Sequence, residues 1–343
     1  MVRDTSAGEP GAQRAGGWPV NASIPAWFER HQIVLYLGGL VAGAAVGLAR
    51  PASGPTWQAA IYPVLAALLY ATFLQMPFTK LAAAFRDRTF LGALLVVNFA
   101  VVPLVVAALT WVVPLPRAVL LGVLLTLLTP CVDYVIVFCG LAGGDSQRLL
   151  AAVPLLMLAQ MLALPALLWL FVGPELAAIV EFGPFLQAFL MLIVVPLTLA
   201  WATEAFAARH RGGRAVATTM TTALVPLMTA TLFVVAAGQF PTISHRTDQV
   251  LRVVPVYAAF LLIMALVGLA TGRLLRLDSG RSRALVFSGA TRNSLVVLPL
   301  ALALPDAYAM TAAVVVAQTL VELVGMVVYV RVVPRLTAAI ETR

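Results

Sequence analysis

The chain has 343 residues, of which 62% are hydrophobic and only 10% charged, and its formal net charge is +8. A soluble domain carries about a quarter charged residues, so these proportions exclude an ordinary soluble fold and point to one integral membrane domain. The positive charge is not a nucleic-acid footprint, because the basic residues sit in short segments between apolar runs rather than in one patch.

Residues 1 to about 28 are rich in Gly, Ala, Pro and charge and show no hydrophobic periodicity, which reads as a disordered cytoplasmic leader. The first apolar run begins only near Ile33, and no small-residue site follows it to make a cleavable signal peptide. Ten apolar stretches follow, at about 33–49, 56–76, 90–113, 117–142, 148–172, 184–206, 215–238, 250–272, 281–304 and 307–330. Each is long enough to cross a hydrocarbon layer of about 30 Å. Their short connections predict antiparallel neighbours.

With the N-terminus inside, the cytoplasmic segments hold seventeen Lys and Arg, the outer segments hold four, and Arg292 lies within the ninth stretch. This asymmetry predicts ten spans in the cell membrane with both termini cytoplasmic. The membrane domain covers 29–335 and a tail covers 336–343. Ten spans divide into five and five, and an odd number per half sets the halves in opposite orientations. That is the condition for an inverted repeat, with one unit at about 33–172 and the other at about 184–334.

No P-loop, GxSxG or HExxH pattern is present, so an ATP-driven pump or membrane hydrolase has no anchor and the chain reads as a non-enzyme with no catalytic residues. His31, His210 and His245 fall in expected loops or at span ends, and no grouping suggests a metal or cofactor. Cys131 and Cys139, eight residues apart, would lie about 12 Å apart along a helix axis. That is beyond the reach of a disulfide.

Two stretches are interrupted. The fourth contains Thr129-Pro130-Cys131, and the ninth contains Gly289-Ala290-Thr291-Arg292-Asn293-Ser294. Pro130 lacks an N–H and clashes with the preceding turn, so it kinks or breaks its helix. Interrupted apolar segments at matching places in two halves point to a solute site. Broken backbone in a membrane is tolerated only where it lines a cavity or packs in protein. Charges sit at these breaks. An Asp or Arg within a span costs roughly +2.5 to +3.5 kcal/mol on insertion scales, so Asp133 and Arg292 are expected to face each other across the crossing. That pair serves either the solute, with Asp133 also a candidate coupling group beside Glu322, or the structure alone. Glu322 lies one helical turn after Gln318, on the same face of the tenth span, and Gly325 lets another helix approach. Two readings stand for Glu322, a carrier of a coupling proton and an interhelical hydrogen-bond anchor. Low-dielectric surroundings favour the uncharged form of a carboxyl, as the first requires. Asn98 reads first as a helix-packing amide. Cys131, at a break, is either a solute ligand, since thiols favour soft partners such as trivalent arsenic, or a small packing residue. Cys139 reads as packing.

These residues carry a resemblance. TPCVDYVIVFCGLAGGD (129–145) resembles the fourth-span motif of the arsenical-resistance-3 family of arsenite efflux permeases, and NFAVVPLVVAALTW (98–111) resembles its third span. SGATRNSLVVLPLALAL (288–304) and LVELVG (320–325) are similar to its ninth and tenth spans. The family belongs to the bile acid/arsenite/riboflavin transporter superfamily. The resemblance implies an all-α fold of ten helices in a 5+5 inverted repeat, with a panel domain, a core domain and crossed discontinuous helices four and nine. It also implies Cys131 as the essential thiol, Glu322 as the acidic residue of the tenth span, and Asn293 lining the crossing. Asp133 and Arg292 depart from the arsenite permeases in being charged. The sodium-coupled bile acid branch places acidic and amide groups where Ser288 and Arg292 stand here, and a fixed Arg would repel sodium.

Two functions follow as expectations. One is proton-coupled efflux of arsenite or a related metalloid by an antiporter. The other is symport of an organic anion, with Arg292 clamping its carboxylate or sulfonate. Either way the partners are a small solute and membrane lipid, with no nucleic acid.

Overall fold

The computed structural model describes residues 23–75, 85, 87–132, 134–173, 187, 190–245 and 247–341. All regular structure among them is helical. In lipid an α-helix satisfies every backbone group within its own segment, so a chain this apolar folds as helices. In chain order the helices are α1 (Ser23–Ala49), α2 (Gly54–Leu74), α3 (Arg88–Val112), α4 (Arg117–Leu127), α5 (Val135–Leu141), α6 (Ser146–Val172), α7 (Val195–Ala207), α8 (Arg211–Thr222), α9 (Leu224–His245), α10 (Thr247–Leu274), α11 (Ser279–Ala290), α12 (Ser294–Leu302) and α13 (Met310–Glu341).

Among the described residues, seven helices are long and apolar enough to cross a membrane, those in α1, α2, α3, α6, α9, α10 and α13. The chain is therefore a multi-pass membrane protein. The three other expected spans fall short for identifiable reasons. The fourth is divided into α4 and α5, the ninth into α11 and α12, and the sixth runs partly through residues outside those described. The expected leader overlaps α1, which starts at Ser23 and so takes in 23–28; residues 1–22 lie outside the described residues. His31 is correspondingly not in a loop but within α1, stacked on Trp27 at 4.6 Å. His210 and His245 do lie at helix ends.

The helices pack as two groups. α1, α2, α7, α8 and α9 form one, and α3 to α6 with α10 to α13 form the other. The groups meet where α9 touches α10 and α13 and where α2 touches α12. Within the first group, Gly39, Gly43 and Gly47 line one face of α1. A Cβ at Gly39 would lie 2.8 Å from Thr229 O and one at Gly47 would lie 2.6 Å from Ala237 O, so the α1 and α9 backbones are in contact. In the second group Gly268 and Gly272 of α10 bring α11 close in the same way.

Three helices of the second group start beside one another. Asp87, Asp145 and Asp278 each precede a helix, and their Oδ1 atoms accept from Phe90 N, Arg148 N and Arg281 N. These are N-caps, which satisfy orphan N–H groups in the first turn. Arg148 and Arg281 each pair with the cap of their own helix, and both also reach Asp87 Oδ2, at 3.0 and 3.1 Å. Partial burial pushes the Asp87 carboxyl up, but the Phe90 N–H and the two guanidinium groups outweigh it and hold it below the usual carboxylate range.

Candidate functional site

In an unbroken helix each N–H donates to the carbonyl four residues back. Between α11 and α12 that pattern stops. Arg292 N donates to Glu322 Oε2 at 2.8 Å, and Asn293 N crosses to Thr129 O at 2.8 Å. The partner break between α4 and α5 mirrors this, with Cys131 N donating to Thr291 O at 3.2 Å. Pro130 and Arg292 thus face each other in an isolated antiparallel bridge. Thr129 and Thr291 turn their hydroxyls back to Leu125 O and Phe287 O, each at 2.7 Å. The two interrupted segments therefore cross with local two-fold symmetry, each completing the backbone bonding of the other.

These exchanges strip the carbonyls of Leu127, Ser288 and Gly289 of their helical donors. The Arg292 side chain supplies the replacements. Its Nη2 donates to Ser288 O at 2.7 Å, to Gly289 O at 2.6 Å and to Asn98 Oδ1 at 2.8 Å, and its Nη1 donates to Leu127 O at 3.3 Å. A wholly buried guanidinium, 0% exposed, thus sits at the negative C-terminal ends of both α4 and α11. The Phe260 ring, 5.5 Å from its carbon to the centroid, adds a cation–π contact. Asn98 lies on a π-helical turn of α3, Val97–Val101, and its Nδ2 donates to Leu94 O and to Ser288 Oγ. Such turns displace a helix locally and recur at functional sites.

Glu322, 1% exposed, closes the other side of the crossing. Its Oε1 accepts from Tyr134 Oη at 2.5 Å, and its Oε2 accepts from Arg292 N and from Gln318 Nε2. Ser294 Oγ donates in turn to Gln318 Oε1. Tyr134 Oη also lies 3.4 Å from Arg292 O. Cys131, 1% exposed, lies in the α4–α5 break and is not in a disulfide, and Cys139 is packed within α5 at 0%. Gly325 does admit a neighbour, Leu261 of α10.

The structure brings Asn98, Pro130, Cys131, Ser288, Arg292, Asn293, Gln318 and Glu322 to one crossing. Asp133 lies outside the described residues, so its expected pairing with Arg292 has no structural counterpart here. At the crossing, two buried donors have no hydrogen-bond partner among the described residues, Arg292 Nε and Asn293 Nδ2. Tyr134 was not singled out from the sequence, and Thr129, Thr291 and Ser294 figured there only as members of the interrupted segments. A signal existed for Tyr134, because a tyrosine within an apolar span needs a partner for its hydroxyl.

Among known proteins, the model of the Sodium Bile acid symporter family matches residues 62–246. The chain belongs to that family. Symporter-family members are transporters, so the crossing sits in a membrane transporter of small solutes. The family match takes in Asn98, Cys131 and Tyr134, while Arg292, Asn293 and Glu322 lie beyond its end. No curated protein matches the chain.

Proposed function

We propose that this symporter-family chain exports arsenite or a related metalloid in exchange for protons, through ten spans arranged as an inverted repeat with both termini in the cytoplasm. The observation that carries the reading is the Arg292 guanidinium inside a set of oxygen acceptors, Leu127 O, Ser288 O, Gly289 O and Asn98 Oδ1. All-oxygen sets of this kind suit a hard cation. Here the chain supplies the cation itself, which removes the need for sodium. Among the described residues, the carboxyl left for coupling at the crossing is Glu322; Asp133, the other candidate, lies outside them. Cys131 offers sulfur to a soft metalloid, and Asn293 Nδ2 and Arg292 Nε offer donors to its hydroxyl oxygens. Undissociated arsenite is neutral, so the membrane potential alone does not move it. Exchange for a proton adds about 2.3 kcal/mol per 100 mV for each charge moved.

Everted vesicles with an imposed proton gradient test the reading. Arsenite accumulates, sodium does not alter the rate, and Cys131→Ser abolishes accumulation. A folded wild-type protein that accumulates no arsenite sinks the proposal.

Symport of an organic anion is the second reading, favoured by the family's name. It requires a different anion clamp from the one expected, because the Arg292 terminal nitrogens are already engaged with carbonyls and Asn98. Taurocholate uptake stimulated by sodium in the same vesicles would establish it.

A further inference from the structure

Glu322 receives three hydrogen bonds on two oxygens, from Tyr134 Oη, Arg292 N and Gln318 Nε2. Every contact arrives as a donor, which is the arrangement of a carboxylate. A protonated carboxyl carries a hydrogen of its own, and that hydrogen needs an acceptor where only donors now point. One of the three must therefore turn round. The backbone N–H of Arg292 cannot. Gln318 can do so only by turning its whole amide over, since Ser294 Oγ donates to its oxygen. Tyr134 needs no heavy-atom movement. Its hydroxyl hydrogen has a second acceptor in place, Arg292 O at 3.4 Å, and its oxygen can then accept from the carboxyl.

We propose that Tyr134 senses the protonation state of Glu322 and relays it to the crossing. This rests on proton coupling as read above. A proton taken from water adds to Glu322 Oε1. The new O–H donates to Tyr134 Oη, the Tyr134 hydroxyl swings from Oε1 to Arg292 O, and no covalent bond other than the carboxyl O–H forms or breaks. With the carboxylate, the start of α5 is tied to α13. With the acid, it stays joined to α13 through the carboxyl O–H and is also tied to the crossing backbone at Arg292 O, from a residue three positions after Cys131. Tyr134 thus links proton binding to the segment that carries the thiol.

The other ionisable groups around Glu322 do not offer this exchange. Arg292 directs its guanidinium to carbonyls and Asn98, and Tyr329 of α13 donates to Leu261 O. Tyr257 of α10 donates to Val314 O at 3.1 Å. Cys131 lies in the α4–α5 break, three residues before Tyr134, and Asp133 is outside the described residues.

The test is infrared difference spectroscopy of the protein in proteoliposomes as pH is stepped, with no solute present. A carboxyl band that Glu322→Gln removes should titrate together with a tyrosine C–O–H band that Tyr134→Phe removes. The tyrosine change should also vanish in Glu322→Gln. A carboxyl band that titrates while the tyrosine band stays fixed, or a response confined to amide bands, overturns the proposal. The Phe variant keeps the ring and its edge contact with Phe138 at 6.0 Å. With arsenite as the probe it should keep counterflow at equal pH and lose about tenfold in gradient-driven accumulation, the scale of one hydrogen bond to a charged group. Undiminished gradient-driven accumulation in that variant overturns the relay. Paired carboxyl and tyrosine bands in a wild-type protein that moves no arsenite would support the relay and count against the metalloid reading alone.

Discussion

Arg292 shows how one residue can serve as structure and as charge. Its backbone leaves the helix to bind Glu322, and its side chain returns to satisfy the carbonyls that its own departure opened. Removing it leaves Leu127 O, Ser288 O, Gly289 O and Asn98 Oδ1 short of a donor, and Glu322 short of the nearby positive charge. Leaving a buried acceptor without its donor costs about 1–3 kcal/mol for each group. Arg292→Met should therefore lower the thermal unfolding temperature in detergent, and adding Glu322→Gln should recover part of the loss. Unchanged melting of the single variant would show that the guanidinium is not a structural cation. The sequence marked Arg292 as an intramembrane charge and Cys131 as a residue at a break, because charge and proline are conspicuous against apolar surroundings. It did not mark where the guanidinium points. A side chain folding back onto carbonyls three and four residues earlier depends on the backbone first being drawn away, and that is decided by Thr129, some 160 residues upstream.

At the scale of elements, the same contrast holds. The two breaks were legible because Pro130 cannot continue a helix and because small and polar residues interrupt 289–294. The start of α1 was not, since 23–32 mixes polar and aromatic residues and gives no apolar run, yet it is helical. Pairing of α1 with α9 was also out of reach, although the four-residue spacing of Gly39, Gly43 and Gly47 hinted at a close-packed face. That face yields a sharp comparison. Gly43 meets the Phe233 backbone, whereas a side chain at Gly38 would have nothing within 4 Å. Gly43→Leu should destabilise the protein by at least the roughly 1–3 kcal/mol typical of overpacking, and Gly38→Leu should leave the melting temperature unchanged. Equal effects of the two substitutions would mean that α1 and α9 do not pack as described. The paired Asp-Ser-x-Arg segments at 145–148 and 278–281, whose arginines converge on Asp87, were likewise present in the sequence but meaningless until α3, α6 and α11 were seen to start side by side.

For the whole molecule, the two helix groups suggest how a closed crossing is reached. Cys131, Asn293 and Glu322 are each 1% exposed and Arg292 is 0%, so the crossing is closed to a solute in this conformation. The groups touch along α9 and α2, while each is tightly knit within itself. Spin labels at Val41 of α1 and Leu262 of α10, both exposed, should report a separation that shifts when solute is added. Labels at Val41 and Trp201 of α7, within one group, should hold a fixed distance. Invariance of both distances during active transport would rule out motion of one group against the other. The reciprocal crossing also bears on how the chain is made. Thr129 O and Cys131 N find partners in residues 291–293. At about 5–20 residues per second of synthesis, the first break waits roughly ten to thirty seconds before the second emerges. During that interval a proline-broken helix stands in the bilayer with unpaired backbone groups, which lipid cannot satisfy. The insertion machinery, or water held around it, has to shelter the first half until the second arrives, and a ribosome stalled between the two breaks would leave a fragment marked for degradation.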